Sequence, residues 1–180
     1  LNTLNNKHKM NMKKRIALIT GATSGIGEAC ARRFAMGGYN IIVTGRNRKR
    51  LDEMKKELEA EGADVLTLCF DVRDRAQTKE AVESLGEEWQ AVDVLINNAG
   101  LARGLEPEYD GDFTDWDEMI DTNIKGLLNM TRLIVPGMVE RDHGHVINIG
   151  SVAGDAAYAG GGVYCATKAA VKALSDGLRI

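Results

Sequence analysis

Between Arg15 and Ile149 the chain keeps returning to one pattern: a short apolar run, a glycine or polar stop, then a charged stretch with helical apolar spacing. The apolar runs are Arg15–Thr20, Asn40–Thr44, Asp64–Phe70, Val92–Ile96 and Val146–Ile149. Near-continuous apolar runs of this length read as strands buried on both faces. Between them lie Ile26–Met36, Arg48–Glu61 with Leu51, Met54 and Leu58 on one face, and Asp74–Trp89. After the fourth run a Gly- and Pro-containing loop from Gly100 to Phe113 leads to Thr114-Asp-Trp-Asp117. This reads as a capping box opening one long helix towards Val135, with Asp in place of the usual Glu. A last helix carries Tyr164 and Lys168. Strands alternating with helices imply right-handed crossovers and an α/β, doubly wound parallel sheet, Rossmann-like, with order 3-2-1-4-5 expected. A TIM barrel is excluded because eight βα units need roughly 250 residues.

The 180 residues suffice for one domain, 15–180, with a real core. Polar residues 1–14, rich in Asn and Lys, lack the apolar stretch of a signal peptide and read as a disordered leader. The apolar face Val171, Leu174 and Leu178 is still in progress where the sequence stops, so a longer parent protein is expected. A net charge of −3 offers no electrostatic case for nucleic acid or an anionic membrane, and no apolar run is long enough to span a bilayer. Cys30, Cys69 and Cys165 are widely spaced, odd in number and without a CxxC pair, as in a protein of a reducing cytoplasm. His143 and His145 flank Gly144 without a third ligand at a sensible spacing, so no metal site is expected. Trp89 and Trp116 read as packing residues.

Thr20-Gly-Ala-Thr-Ser-Gly-Ile-Gly27 follows the first strand and opens the first helix. Gly21, Gly25 and Gly27 let the backbone approach a pyrophosphate, and Thr23, Ser24 and Ile26 sit where helix N–H groups face its charge. The spacing is G-x-x-x-G-x-G rather than the commoner G-x-G-x-x-G, and a tight turn without ligand is the alternative. The second strand ends at Arg46-Asn47, where an acidic residue would favour NAD and an Arg accommodates the 2′-phosphate of NADP. Asp71 and Val72 after the third strand, and Asn97, Asn98, Ala99 and Gly100 at the end of the fourth, lie where such sheets bind ligands. A turn or a strand terminator would also account for them.

Tyr164 and Lys168 are four apart and share a helix face. A phenol ordinarily holds its proton to about pH 10. An ammonium alongside favours the phenolate and makes such a pair usable as acid and base near neutral pH.

Taken in chain order, Thr20–Gly27, Asp71-Val72, Asn97–Gly100, Asn123 in Asp-Thr-Asn-Ile-Lys-Gly, Ser151 and Tyr164-x-x-x-Lys168 resemble the classical short-chain dehydrogenase/reductases, from Lys14 to Ile180. Within that family, Gly100–Pro107, Trp116–Gly126 and Pro136–His145 are most similar to the NADP-dependent 3-hydroxy acid dehydrogenases. The resemblance implies hydride transfer between NADP(H) and a small hydroxy acid or ketone. Tyr164 would be the acid/base, and Ser151 would hold the reacting oxygen. Lys168 would tune the phenol and bind the nicotinamide ribose, and Asn123 would hold a relay water. It also implies a homotetramer. A carbonyl or 3-oxoacyl reductase, or a non-catalytic NADP-binding protein on the same fold, is the alternative.

Overall fold

Strands β1 (Ile16–Ile19), β2 (Asn40–Gly45), β3 (Val65–Cys69), β4 (Val94–Asn97) and β5 (His145–Asn148) form one parallel sheet of order β3-β2-β1-β4-β5, the order expected. The computed structural model describes residues 14–180; the expected leader lies outside them except for Lys14, which pairs with Asp64 at 3.7 Å.

Alternation along the strands divides the core into two layers. Ala17, Ile19, Ile41, Val43 and Ile96 face one side. Helices α1 (Gly25–Met36) and α2 (Arg48–Ala60) cover that side through Ala31, Leu51, Met54 and Leu58. Ile16, Leu18, Ile42 and Leu95 face the other, against Met130, Ile134 and Met138 of α6 (Leu127–Glu140). The residues of β1, β2 and β4 are almost completely buried on both faces, while the flanking β3 and β5 are largely half-buried.

Three helix expectations are corrected. The segment Asp74–Trp89 is not one helix: α3 spans Arg75–Glu83, and the single turn α4 spans Glu87–Gln90. Leu85, 4% exposed, drops into the core between them and Gly86 starts the new turn. The cap before the long helix is Asp112, whose Oδ1 accepts the Thr114 N–H at 2.7 Å, so Thr114 is inside α5 (Phe113–Ile120) rather than capping it. Third, the run from α5 into α6 is interrupted by a π-helical turn, Asp121–Gly126. Gly126 sits there because a side chain would come within 2.7 Å of Val72 Cγ2.

After β5 a short 3-10 turn, Val152–Gly154, leads to α7 (Gly162–Arg179). The three cysteines are free thiols; Cys165 is buried, Cys30 and Cys69 half-buried. Among the described residues no helix is long and apolar enough to cross a membrane. None of the described His, Cys, Asp and Glu side chains form a group able to hold a metal ion; His143 instead lies 3.3 Å from Asp93.

Candidate active site

The carboxyl ends of β1, β2, β3 and β4 open into a groove of about 680 Å3. Its floor is the turn from β1 into α1. Gly21 and Gly25 adopt φ of +60° and +55°, a region costly for any residue with a Cβ. Nothing lies within 4 Å of a side chain built at Gly25, so the backbone there faces open space. Gly27 is different: a Cβ would meet Gly21 O at 2.4 Å and Asn98 Nδ2 at 2.4 Å. It brings α1 against the turn from behind and does not line the groove. Thr23, Ser24 and Ile26 line it, and Ser24 starts α1 without a side-chain cap, leaving the first-turn N–H groups directed outwards.

A residue the motif reading passed over holds this floor. Thr20 Oγ1, on a residue 2% exposed, accepts the Asn98 and Ala99 N–H groups, each at 3.0 Å. Asn98 Nδ2 in turn donates to Thr20 O and Gly21 O at 2.9 and 3.0 Å. The first βα turn and the loop after β4 are therefore one unit. Only the signal of a Thr ending an apolar strand marks Thr20 in the sequence.

Arg46, Asp71, Val72, Asn98, Ala99 and Gly100 line the groove as expected. Arg46 is half exposed and only loosely held, its Nη1 3.7 Å from Asp71 Oδ2 and 3.9 Å from Glu118 Oε1. Such exposed pairs are worth about 0–1 kcal/mol. Burial pushes the Asp71 carboxyl up, but hydrogen bonds from Arg73 and the Arg73 and Arg46 charges outweigh it and hold the group below the ordinary carboxylate value. Asn47 and Asn97 act from behind the wall. Asn47 caps α2 by accepting the Arg50 N–H at 3.1 Å. Asn97, 5% exposed, turns its amide to Asn148 Oδ1 and Thr131 Oγ1.

Tyr164 and Lys168 face the same groove from α7. Lys168 is 7% exposed, and its Nζ lies 5.9 Å from the centre of the Tyr164 ring. That ammonium donates to Ile149 O at 2.8 Å, and burial lowers its pKa. The ammonium is thus near the Tyr164 ring and anchored on the residue that follows β5. The Asn123 side chain, expected to carry a relay water, accepts the Leu101 N–H at 2.9 Å and donates to Leu101 O and Thr167 Oγ1. It sits in the π-turn, a widening that recurs at functional positions. A side chain at Gly100 would meet Asn123 Oδ1 at 3.2 Å and Lys168 Nζ at 3.6 Å, so Gly100 leaves room where those two groups converge. Ser151 caps the 3-10 turn, its Oγ accepting the Ala153 N–H at 3.1 Å, and does not line the groove.

Tyr164 also lines a second cavity of about 470 Å3, walled by the loop after β4, the start of α5 and the segment before α7. Trp116 lines it and packs edge-on against Phe113 with centroids 5.2 Å apart. The tyrosine stands where the two cavities meet.

The groove suits a dinucleotide on its own features. It has a floor in which Gly21 and Gly25 expose the backbone, an uncapped helix start and a loosely held arginine. Thr44 Oγ1 and Thr122 Oγ1, on residues of its wall, are buried without a partner among the described residues.

Comparison with known proteins agrees. The short chain dehydrogenase profile matches residues 15–180. An NADP-dependent 3-hydroxy acid dehydrogenase, YdfG, of Salmonella typhimurium is 56% identical over 164 residues, covering 91% of this chain. Sulfoacetaldehyde reductase 2 of Chromohalobacter salexigens is 47% identical over 165 residues, 91% of this chain. The chain spans 65% of the length of either relative. The structure of serine dehydrogenase from Escherichia coli superposes with a TM-score of 0.87 at 54% identity, covering 91% of this chain and 74% of that one. Its closed form, described as complexed with NADP+, gives the same TM-score over 65% of its chain. With the motif order, the sheet order and the profile match in agreement, the chain belongs to the short-chain dehydrogenase family.

Proposed function

We propose that the whole protein is an NADP-dependent oxidoreductase interconverting a small 3-hydroxy acid, of the serine, allo-threonine or 3-hydroxyisobutyrate type, and the corresponding carbonyl compound. The observation that carries this reading is Tyr164 at the junction of a dinucleotide-shaped groove and a second, smaller cavity. The relatives named for NADP and for 3-hydroxy acids support the finer assignment.

When bound, NADP(H) supplies or takes up the hydride. The chain's own residues manage the proton and the alignment. Tyr164 Oη gives its proton to the carbonyl oxygen in reduction and takes the hydroxyl proton in oxidation. The family resemblance assigns Ser151 to the reacting oxygen; it lines neither cavity here, but its Oγ accepts from Ala153, which leaves its own O–H available to donate. Lys168, fixed on Ile149 O through one N–H, has two more for the ribose hydroxyls and keeps positive charge beside the tyrosine ring. Arg46 exchanges its loose carboxylate contacts for the 2′-phosphate. Asn123 contributes by pinning the loop at Leu101.

The family resemblance further supports a cytoplasmic homotetramer, and the apolar residues Ile120 and Leu128 of α5 and α6 are 36% and 42% exposed. The test of the function is NADP+ reduction followed at the reduced-nicotinamide absorbance, with serine, allo-threonine, 3-hydroxyisobutyrate and a 3-hydroxyacyl thioester as substrates. Turnover of the hydroxy acids is expected. Exclusive turnover of the thioester would replace the reading with a 3-oxoacyl reductase, and tight NADPH binding without any turnover would leave a binding protein.

A further inference from the structure

Arg103 lies on the loop between β4 and α5 and faces both cavities. The loop is held in place. The Arg103 main-chain N–H donates to Met119 Sδ at 3.4 Å, and Leu101 is clamped by Asn123. The guanidinium is half exposed and donates through Nε to Glu118 Oε2 at 3.0 Å. Glu118 is shared, with Arg73 at 3.4 Å and Arg46 at 3.9 Å, so it keeps cationic partners if Arg103 swings away.

The second cavity gives this arginine its meaning. Its wall carries the carboxylates Glu106, Glu108, Asp112 and Asp115, and Arg103 is the one cation among the described residues that line it. A substrate anion in this cavity would meet four carboxylates among its lining residues and one cation, Arg103. The bond to Glu118 uses Nε and leaves both Nη groups free to grip a carboxylate. A neutral alcohol has no use for such a cation. A second negative charge on the substrate would find only carboxylates.

We propose that Arg103 is the specificity residue that reads the single carboxylate of the substrate at the mouth of the second cavity. This rests on the hydroxy acid reading above and assigns one of its contacts.

The experiment compares the whole protein with Arg103→Met and Arg103→Lys, using 3-hydroxypropanoate and its methyl ester. Two quantities are read: the dissociation constant of each compound without dinucleotide, by ligand-observed NMR titration, and kcat and KM with NADP+. Losing a charge-assisted contact of this kind predicts about 10- to 100-fold weaker binding and higher KM for the acid in Arg103→Met. The kcat for the acid and all constants for the ester should stay within about threefold. Arg103→Lys should recover part of the acid's affinity, as a point charge without the fork. Equal losses for acid and ester, or none for either, would overturn the assignment while leaving the hydroxy acid function intact. Arg103-dependent binding of the acid without oxidation would do the reverse. A parent that handles the ester and ignores the acid would overturn both.

Discussion

Replacing Thr20 by valine tests whether the floor of the groove is the single unit described. Valine matches threonine in shape and removes only the hydroxyl. The Asn98 N–H keeps a second acceptor, Ile96 O at 3.0 Å, but the Ala99 N–H loses Thr20 Oγ1 at 3.0 Å and is left beside a residue 2% exposed. A stranded donor costs about 1–3 kcal/mol and the weakened shared bond up to about 1 more, so a loss of roughly 2–3 kcal/mol is expected. Against a typical total of about 5–15 kcal/mol this is a large fraction. It corresponds to a fall in Tm of about 4–12 °C for a chain of this size. Thr20→Ser keeps the hydroxyl, gives up one methyl and should cost about 1 kcal/mol. Urea unfolding followed by tryptophan fluorescence measures both, and NADPH titration should show the valine variant binding more weakly because Asn98–Gly100 form the groove wall. A valine variant no less stable than the serine variant would refute the argument that this hydroxyl ties β1 to the loop after β4.

Tyr164→Phe should lower kcat by about 10²–10⁴-fold while the NADPH dissociation constant stays within about threefold; a parent-like rate would remove the phenol from the proton transfer. Arg46→Asp should weaken NADP+ binding by about 10- to 100-fold and turn preference towards NAD+, and unchanged selectivity in steady-state kinetics would place the 2′-phosphate elsewhere. Arg73→Met should destabilise the protein by about 1 kcal/mol at neutral pH, because the Asp71 carboxylate is held below its ordinary value chiefly by hydrogen bonds from Arg73. A depressed carboxyl adds stability above its unfolded value of about 3.9 and loses it as pH falls through the folded one. The gap between parent and variant in thermal melts should therefore close below about pH 4, and a gap that widened there would contradict the pairing.

The parallel sheet was legible because five short apolar runs alternate with helical stretches, and the strand order followed from the doubly wound arrangement such alternation favours. The glycine turn and Arg46 were legible because their chemistry depends on position in a βα unit. What the pattern concealed were choices between equivalent partners. Leu85 and Trp89 keep helical spacing with Ala81 and Val82, so the break at Gly86 leaves no trace in periodicity. Asp112 and Thr114 are both good caps, and only the backbone decides that Asp112 accepts the N–H. The spacing of Tyr164 and Lys168 put them on one face but could not tell whether the ammonium would settle on the phenol or on the Ile149 carbonyl. Arg103 and Glu118 lie in stretches that resemble the hydroxy acid dehydrogenases, but their pairing appears only once α5 is laid beside the loop after β4.

The π-turn at Asp121–Gly126 has a consequence for the whole second layer of the core. Each residue advances an α-helix by about 100°, and a π-turn takes up one extra residue within a single wider turn, so the helix after it keeps the phase that the extra residue would otherwise shift. Met119, before the turn, leans on the Arg103 loop, while Met130, Ile134 and Met138, after it, pack on the sheet. Winding the same six residues as a regular α-helix would turn one of these two sets about 100° away from its partner, so the wider turn is what lets both flanks pack at once.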